Sequence, residues 1–162
     1  MREHRQKVKK MMQHPLPSIT EQKRKTFRPT PQQTIKAYNL LNEAIFDGKL
    51  SRPPIEIKRL RLTWGICHGD YLDNLMPVCK KIVLSDKFYT KQWFLTTLAH
   101  EMSHQWQWEI QGVKRFNQGL EPNMNHRASF FVHKKRMATM DIPLKSWHRM
   151  RKWFKYQDLF KC

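Results

Sequence analysis

The stretch Phe94-Leu95-Thr96-Thr97-Leu98-Ala99-His100-Glu101-Met102-Ser103-His104 decides the reading of this chain. Its last five residues spell H-E-x-x-H, a spacing that zinc hydrolases use. On a helix, positions i and i+4 lie on one face one turn apart, so two imidazoles can reach a single tetrahedral ion. Glu101 stands beside the first histidine. Its carboxylate can reach an attacking water without being a ligand, which is what a general base requires. The pattern fixes only three positions, so a helix with two half-exposed histidines and a surface glutamate is the competing reading. Context argues against it. Phe94, Leu95, Leu98 and Met102 recur at helical spacing and predict a buried helix. Thr90 is placed to cap its start and Gly112 to end it. Ionisable groups on a buried helix need partners, and a metal ion supplies one for several at once.

A catalytic zinc takes three protein ligands and leaves a fourth position open. The longer pattern H-E-x-x-H-x-x-G-x-x-H fails, because Gln107 and Ile110 stand where the glycine and the last histidine would be. Glu121, His126 and His133 remain. His126 follows the turn-rich run Pro122-Asn123-Met124-Asn125, and Asn125 can cap a helix that would carry Phe130, Phe131 and Met137. His133 lies about two turns further along that helix beside Lys134-Lys135-Arg136, and reads better as a flank histidine. Glu121 precedes a proline and reads better as a surface carboxylate.

The rest of the chain alternates helix and strand signals. Residues 1–28 read as a flexible basic arm broken at Pro15 and Pro17, with a short helix near Val8–Met12. Thr30-Pro31-Gln32-Gln33 opens a helix with a capping box and a first-turn proline. Ile35, Tyr38, Leu41 and Ile45 form its apolar stripe, and Gly48 ends it. Strands are expected at Ile55–Leu60, Leu62–Cys67 and Lys80–Ser85, with a loop over His68–Pro77. The metal helix covers about 91–111, and another helix runs from Asn125 to about Met140. After Asp141-Ile142-Pro143 a last helix turns Trp147, Met150 and Phe154 inward. This order predicts an α+β fold, with a small, mostly antiparallel sheet beside the H-E-x-x-H helix and additional C-terminal helices.

Four segments in this order resemble one family. Leu41-Asn42-Glu43-Ala44-Ile45-Phe46-Asp47-Gly48-Lys49-Leu50 matches L-N-x-x-x-F-x-G-x-L. Lys81-Ile82-Val83-Leu84-Ser85 matches the strand before the metal helix. Thr97-Leu98-Ala99-His100-Glu101-Met102-Ser103-His104 matches T-L-x-H-E-M-x-H. His126-Arg127-Ala128-Ser129-Phe130 matches H-G-x-x-F except for its glycine. Together, over residues 31–142, they resemble the SprT-like metallopeptidases, which include the Spartan proteases of DNA–protein crosslinks. The resemblance implies a zincin-like core over residues 29–142, one Zn2+ held by His100, His104 and His126, Glu101 as the catalytic base, and a protein substrate. It also implies that the strand around Lys81–Leu84 is the edge nearest the site. Many relatives add a C-terminal zinc ribbon. Cys67, Cys79 and Cys162 contain no C-x-x-C pair, so a bare catalytic core is expected here.

Charge is the second signal. The chain of 162 residues carries 31 Lys and Arg against 13 Asp and Glu, a formal net charge of +18. The excess is concentrated at the ends, with nine basic residues against two acidic ones in residues 1–28 and again in 134–162. A polyanion is the natural partner, and DNA or RNA is the expected one. In a C-terminal segment, 143–162, Arg149, Arg151, Lys152 and Lys155 alternate with Trp147, Trp153, Phe154 and Tyr156. That mixture suits phosphate contacts, with single-stranded bases stacked on the rings if those rings face out. Irregular cysteines, no apolar run of membrane-spanning length and a charged start without an apolar signal core predict an intracellular protein, cytoplasmic or nucleoid- or nucleus-associated.

The expected function is therefore a zinc metalloendopeptidase acting on proteins at or near DNA. The alternative is a non-enzymatic nucleic-acid-binding protein with a structural zinc. The intact glutamate and the lack of a conspicuous fourth ligand favour the enzyme. A two-metal nuclease would need more carboxylates around His100 than this sequence holds.

Overall fold

The computed structural model describes residues 2–13, 26–73 and 76–146. It is an α+β arrangement of helices around a three-stranded sheet. Helix α1 spans Arg2–Met12 and α2 spans Pro31–Phe46. Strands β1 (Ile55–Lys58), β2 (Gly65–Tyr71) and β3 (Pro77–Ser85) follow. Helix α3 (Lys91–Trp106) continues through a π-helical turn, Gln107–Gly112, into α4 (Val113–Phe116). A largely irregular segment then leads to α5 (Lys134–Ala138).

The capping box of α2 forms as its sequence predicts. Gln33 N donates to Thr30 Oγ1 at 3.2 Å, and Thr30 N donates to Gln33 Oε1 at 3.0 Å. The helix ends with Asp47 and Gly48 both left-handed, at φ 58° and 70°. Arg136 seals that end from α5, donating to the Ile45 carbonyl and to Asp47 Oδ1 at 2.9 Å. Tyr38, Leu41 and Ile45 are buried, but Ile35 is exposed and lies outside the apolar stripe.

Residues 2–12 are helical over a longer stretch than the short helix expected within a flexible arm. Val8 and Met12, one turn apart, enter the main core, and Arg5 Nε donates to the Ala44 carbonyl at 3.1 Å. Burial of that one face fixes the helix and leaves Arg2, Lys7, Lys9 and Lys10 outside.

The strand order is β1-β3-β2, so β3 is central. β1 runs parallel to β3 and β2 antiparallel to it, which makes the sheet mixed rather than mostly antiparallel. Ile82, Val83 and Leu84 of β3 are fully buried, the unbroken apolar run of a strand covered on both faces. The expectation that Lys81–Leu84 forms the edge nearest the site is therefore corrected: β1 and β2 are the edges and β2 is the one beside the histidines, because β3 is the strand apolar enough to sit in the middle. β2 and β3 also reach further toward their hairpin than expected, taking in His68–Tyr71 and Pro77–Cys79.

Helix α3 begins at Thr90, whose Oγ1 accepts from Trp93 N at 3.1 Å. Every residue from Gln92 to Ser103 is buried. Aromatic rings wedge it against the strands, with Trp64 stacked on Phe88 at 5.4 Å and meeting Trp93 edge-on at 6.1 Å. The helix does not stop at Gly112. There the α ladder widens by one residue, and a Cβ at Gly112 would stand 3.0 Å from the Gln107 carbonyl oxygen.

Residues 125–133 form successive turns, not the first half of a helix running to 140. Phe130 N donates to the Arg127 carbonyl at 2.9 Å and Lys134 N to the Phe131 carbonyl at 3.0 Å, turn closures of i to i+3 spacing. The tighter path carries both His126 and Phe130 to α3. Met140, Ile142 and Leu144 close the core after α5. The last helix expected around Trp147–Phe160, with Arg149, Arg151, Lys152 and Lys155, lies outside the described residues. Among the described residues no helix is long and apolar enough to cross a membrane.

Candidate metal centre

His100 and His104 project from the same face of α3, and the turns after Asn125 bring His126 onto them. His104 Nε2 lies 3.0 Å from His126 Nε2, and His126 Nε2 lies 3.2 Å from His100 Nε2. Two nitrogens bound to one tetrahedral zinc at about 2.0–2.1 Å lie about 3.3–3.4 Å apart, so this spacing suits a shared ion. Nitrogens this close share either a proton or a metal ion between their lone pairs. Burial favours the neutral rings. It lowers the pKa of His104 to about 4 and moves that of His126 down as well. The donor set therefore fits a metal ion: three imidazoles, with no fourth His, Cys, Asp or Glu joining them among the described residues. Phe130, fully buried, touches all three rings at centroid distances of 4.6–4.8 Å.

This geometry agrees with a comparison of sequences. The model of the SprT-like family matches residues 34–148, well over half of the chain. The chain belongs to the SprT-like family. Comparisons with curated proteins and with solved structures gave no match. The family's general description is metallopeptidase, and the match spans every described element that builds the centre.

In this SprT-like chain Glu101 faces β2, not the sheet centre. Its carboxylate is buried, and burial pushes its pKa up to about 8 against the opposing effect of a hydrogen bond from the Cys67 backbone N–H. Gly65 explains how the carboxylate fits. A Cβ there would stand 2.8 Å from Glu101 Cγ and 3.0 Å from Thr97 Cγ2, so only glycine lets the strand come this close. The three histidines and Glu101 open on a cleft of about 490 Å3 walled by β2, Trp108 and Met124. Trp108 is seated against Gly69, where a Cβ would stand 1.7 Å from its ring, and Tyr71 meets it edge-on at 5.6 Å.

The other candidate ligands are elsewhere. Glu121 Oε2 accepts from Tyr71 Oη at 3.1 Å and is not part of the histidine cluster. His133 packs against Phe46 at 4.8 Å and Trp106 at 5.1 Å. Trp64 lines the cleft but is mostly buried, while His68 is exposed on β2. Sequence reasoning missed Gly65, Gly69, Gln107 and Trp108. A glycine inside a strand marks close approach, and that signal was present at 65, whereas 69 fell in the expected loop and only the structure puts it in β2. Nothing local marked Gln107 or Trp108.

Proposed function

We propose that this protein is a zinc-dependent metalloendopeptidase with a zincin-like core, in which His100, His104 and His126 hold one Zn2+ and Glu101 is the general base. The observation that carries this reading is the convergence of three Nε2 atoms beside a buried, partnered carboxylate. A zinc ion held there supplies Lewis-acid polarisation of a peptide carbonyl and makes a water acidic enough to react near neutral pH. Glu101 takes the proton from the attacking water and returns it to the leaving amine. Burial raises its proton affinity, which suits it to hold that proton until the amine leaves. The Cys67 N–H keeps the carboxylate aimed, and Gly65 leaves it room.

The edge strand β2 supplies the substrate platform. Among the described residues it pairs only with β3, so its outer edge along the cleft can take an extended peptide by backbone pairing. Trp108 bounds the cleft beyond Gly69.

The partner reading rests on charge. Arg2, Lys7, Lys9 and Lys10 are exposed on the docked helix α1, and the formal net charge of +18 favours a polyanion beside the protein substrate. DNA is the proposed polyanion, bound mainly through phosphates, in single-stranded or duplex form. The proposed setting is intracellular, on or near DNA-bound proteins.

The test combines metal content with proteolysis. Purified protein should carry one zinc and cleave DNA-bound proteins, faster with DNA than without. Glu101→Gln should keep the zinc and lose cleavage by about 10^2–10^4-fold. Wild-type protein that holds zinc but cleaves nothing, indistinguishable from Glu101→Gln, would transfer the assignment to a nucleic-acid-binding protein with a structural zinc.

A further inference from the structure

The third histidine poses a mechanical problem. His100 and His104 are fixed by a buried helix, whereas His126 is exposed in a segment of turns. Something must hold that segment at the distance a shared ion demands. Gln107 occupies the place. It is fully buried, three residues after His104 on the same helical face, at the first position of the π-helical turn. In the sequence it is merely the residue that breaks the longer H-E-x-x-H-x-x-G-x-x-H pattern.

Its amide reaches in two directions. Gln107 Nε2 lies 3.1 Å from the Asn123 carbonyl, 2.9 Å from the Asn125 carbonyl and 2.7 Å from Ser129 Oγ. Backbone carbonyls only accept, so the NH2 must face them and the amide cannot be flipped. Oε1 is then turned to His104 Nδ1 at 2.8 Å. An amide oxygen also only accepts, so His104 carries its proton on Nδ1 and keeps its Nε2 lone pair toward the other two histidines. One side chain thus sets the tautomer of the second histidine and ties down both flanks of the third.

We propose that Gln107 is a positioning residue for the metal centre, orienting His104 through its amide oxygen and anchoring the His126 segment through its amide nitrogen. The inference rests on the reading of the three histidines as metal ligands. Partners one step out from a metal-bound histidine fix its ring and are worth about 10–100-fold in metal affinity.

Gln107→Met keeps the length and apolar bulk of the side chain and removes both sets of hydrogen bonds. Three measurements on the full chain decide the matter. Zinc affinity, from competition with a chromophoric chelator, should fall about 10–100-fold in Gln107→Met. Imidazole 15N spectra of zinc-free wild type should show His104 as the Nδ1–H tautomer, and Gln107→Met should lose that preference. Amide hydrogen exchange over residues 123–129 should speed up. Gln107→Glu keeps an acceptor for His104 but no donor, so it should retain the tautomer while exchange over 123–129 still rises. Wild-type His104 found as the Nε2–H tautomer would overturn the proposal even if Gln107→Met failed to fold. Tight zinc binding by wild type with equal affinity and tautomer in Gln107→Met would overturn it and leave the ligand assignment standing. Failure of wild type to take up zinc would instead remove the metal centre, and this proposal with it.

Discussion

Gly65 of the edge strand and Glu101 of the metal helix are in contact: a Cβ on Gly65 would stand 2.9 Å from Glu101 Oε1. The strand backbone is therefore part of the wall that aims the carboxylate. Gly65→Ala should push Glu101 aside without touching a histidine. Proteolytic kcat/KM is expected to fall about 100-fold, within the range for a misplaced general base, while zinc content stays at one per chain. A Gly65→Ala protein with wild-type kcat/KM would show that the contact is slack.

The ligand set separates cleanly by substitution. His126→Ala should lose most bound zinc, since it leaves two imidazoles for an ion that takes three protein ligands at catalytic sites. Glu121→Ala and His133→Ala should keep it, because Glu121 is bonded to Tyr71 and His133 is packed between Phe46 and Trp106. Metal analysis after exhaustive dialysis reads all three. Stoichiometric zinc in His126→Ala would remove the third ligand from the scheme.

His133 also gives a pH dependence. Burial, with Arg136 adding to it, lowers its pKa to about 4, against about 6.5 in an unfolded chain. Between those values the unfolded chain binds the proton that the folded one refuses. Stability attributed to His133 is thus present above about pH 6.5 and is lost as pH falls toward about 4. His104 and His126 act in the same direction, so the comparison must isolate position 133. Thermal midpoints of wild type and His133→Phe should run in parallel above pH 6.5, with the wild type falling more steeply below it. Parallel curves down to about pH 4 would mean that His133 is not the group responsible.

Binding to DNA should carry the signature of phosphate contacts. Log affinity is expected to fall linearly with log salt, by about 0.7–0.9 per phosphate neutralised. Deleting residues 1–28 would take Val8 and Met12 out of the core, so charge is better removed by replacing the exposed Arg2, Lys9 and Lys10 with glutamine. Each lost contact should flatten the slope by about that same increment, and zinc content should not change. A slope near zero in the intact protein would exclude phosphate contacts and leave an acidic protein as the partner.

By itself the sequence determined the local pieces of this protein. Caps at Thr30 and Thr90, the left-handed end of α2 at Gly48, the apolar helix bearing His100 and His104 and the apolar strand Ile82–Leu84 are all written in short-range spacing, because their determinants lie within a turn or a strand of one another. Tertiary structure alone decided how those pieces meet. A buried run such as Ile82-Val83-Leu84 does not state whether it is central or an edge, and only the parallel pairing with β1 placed it in the middle. Val8 and Met12 look like two apolar residues in a basic tail until α2 offers them a core. His126, His133 and Glu121 are three candidates on paper. The choice among them came from turns at 125–133 held by a glutamine across the centre, a long-range bond that no periodicity in the chain encodes.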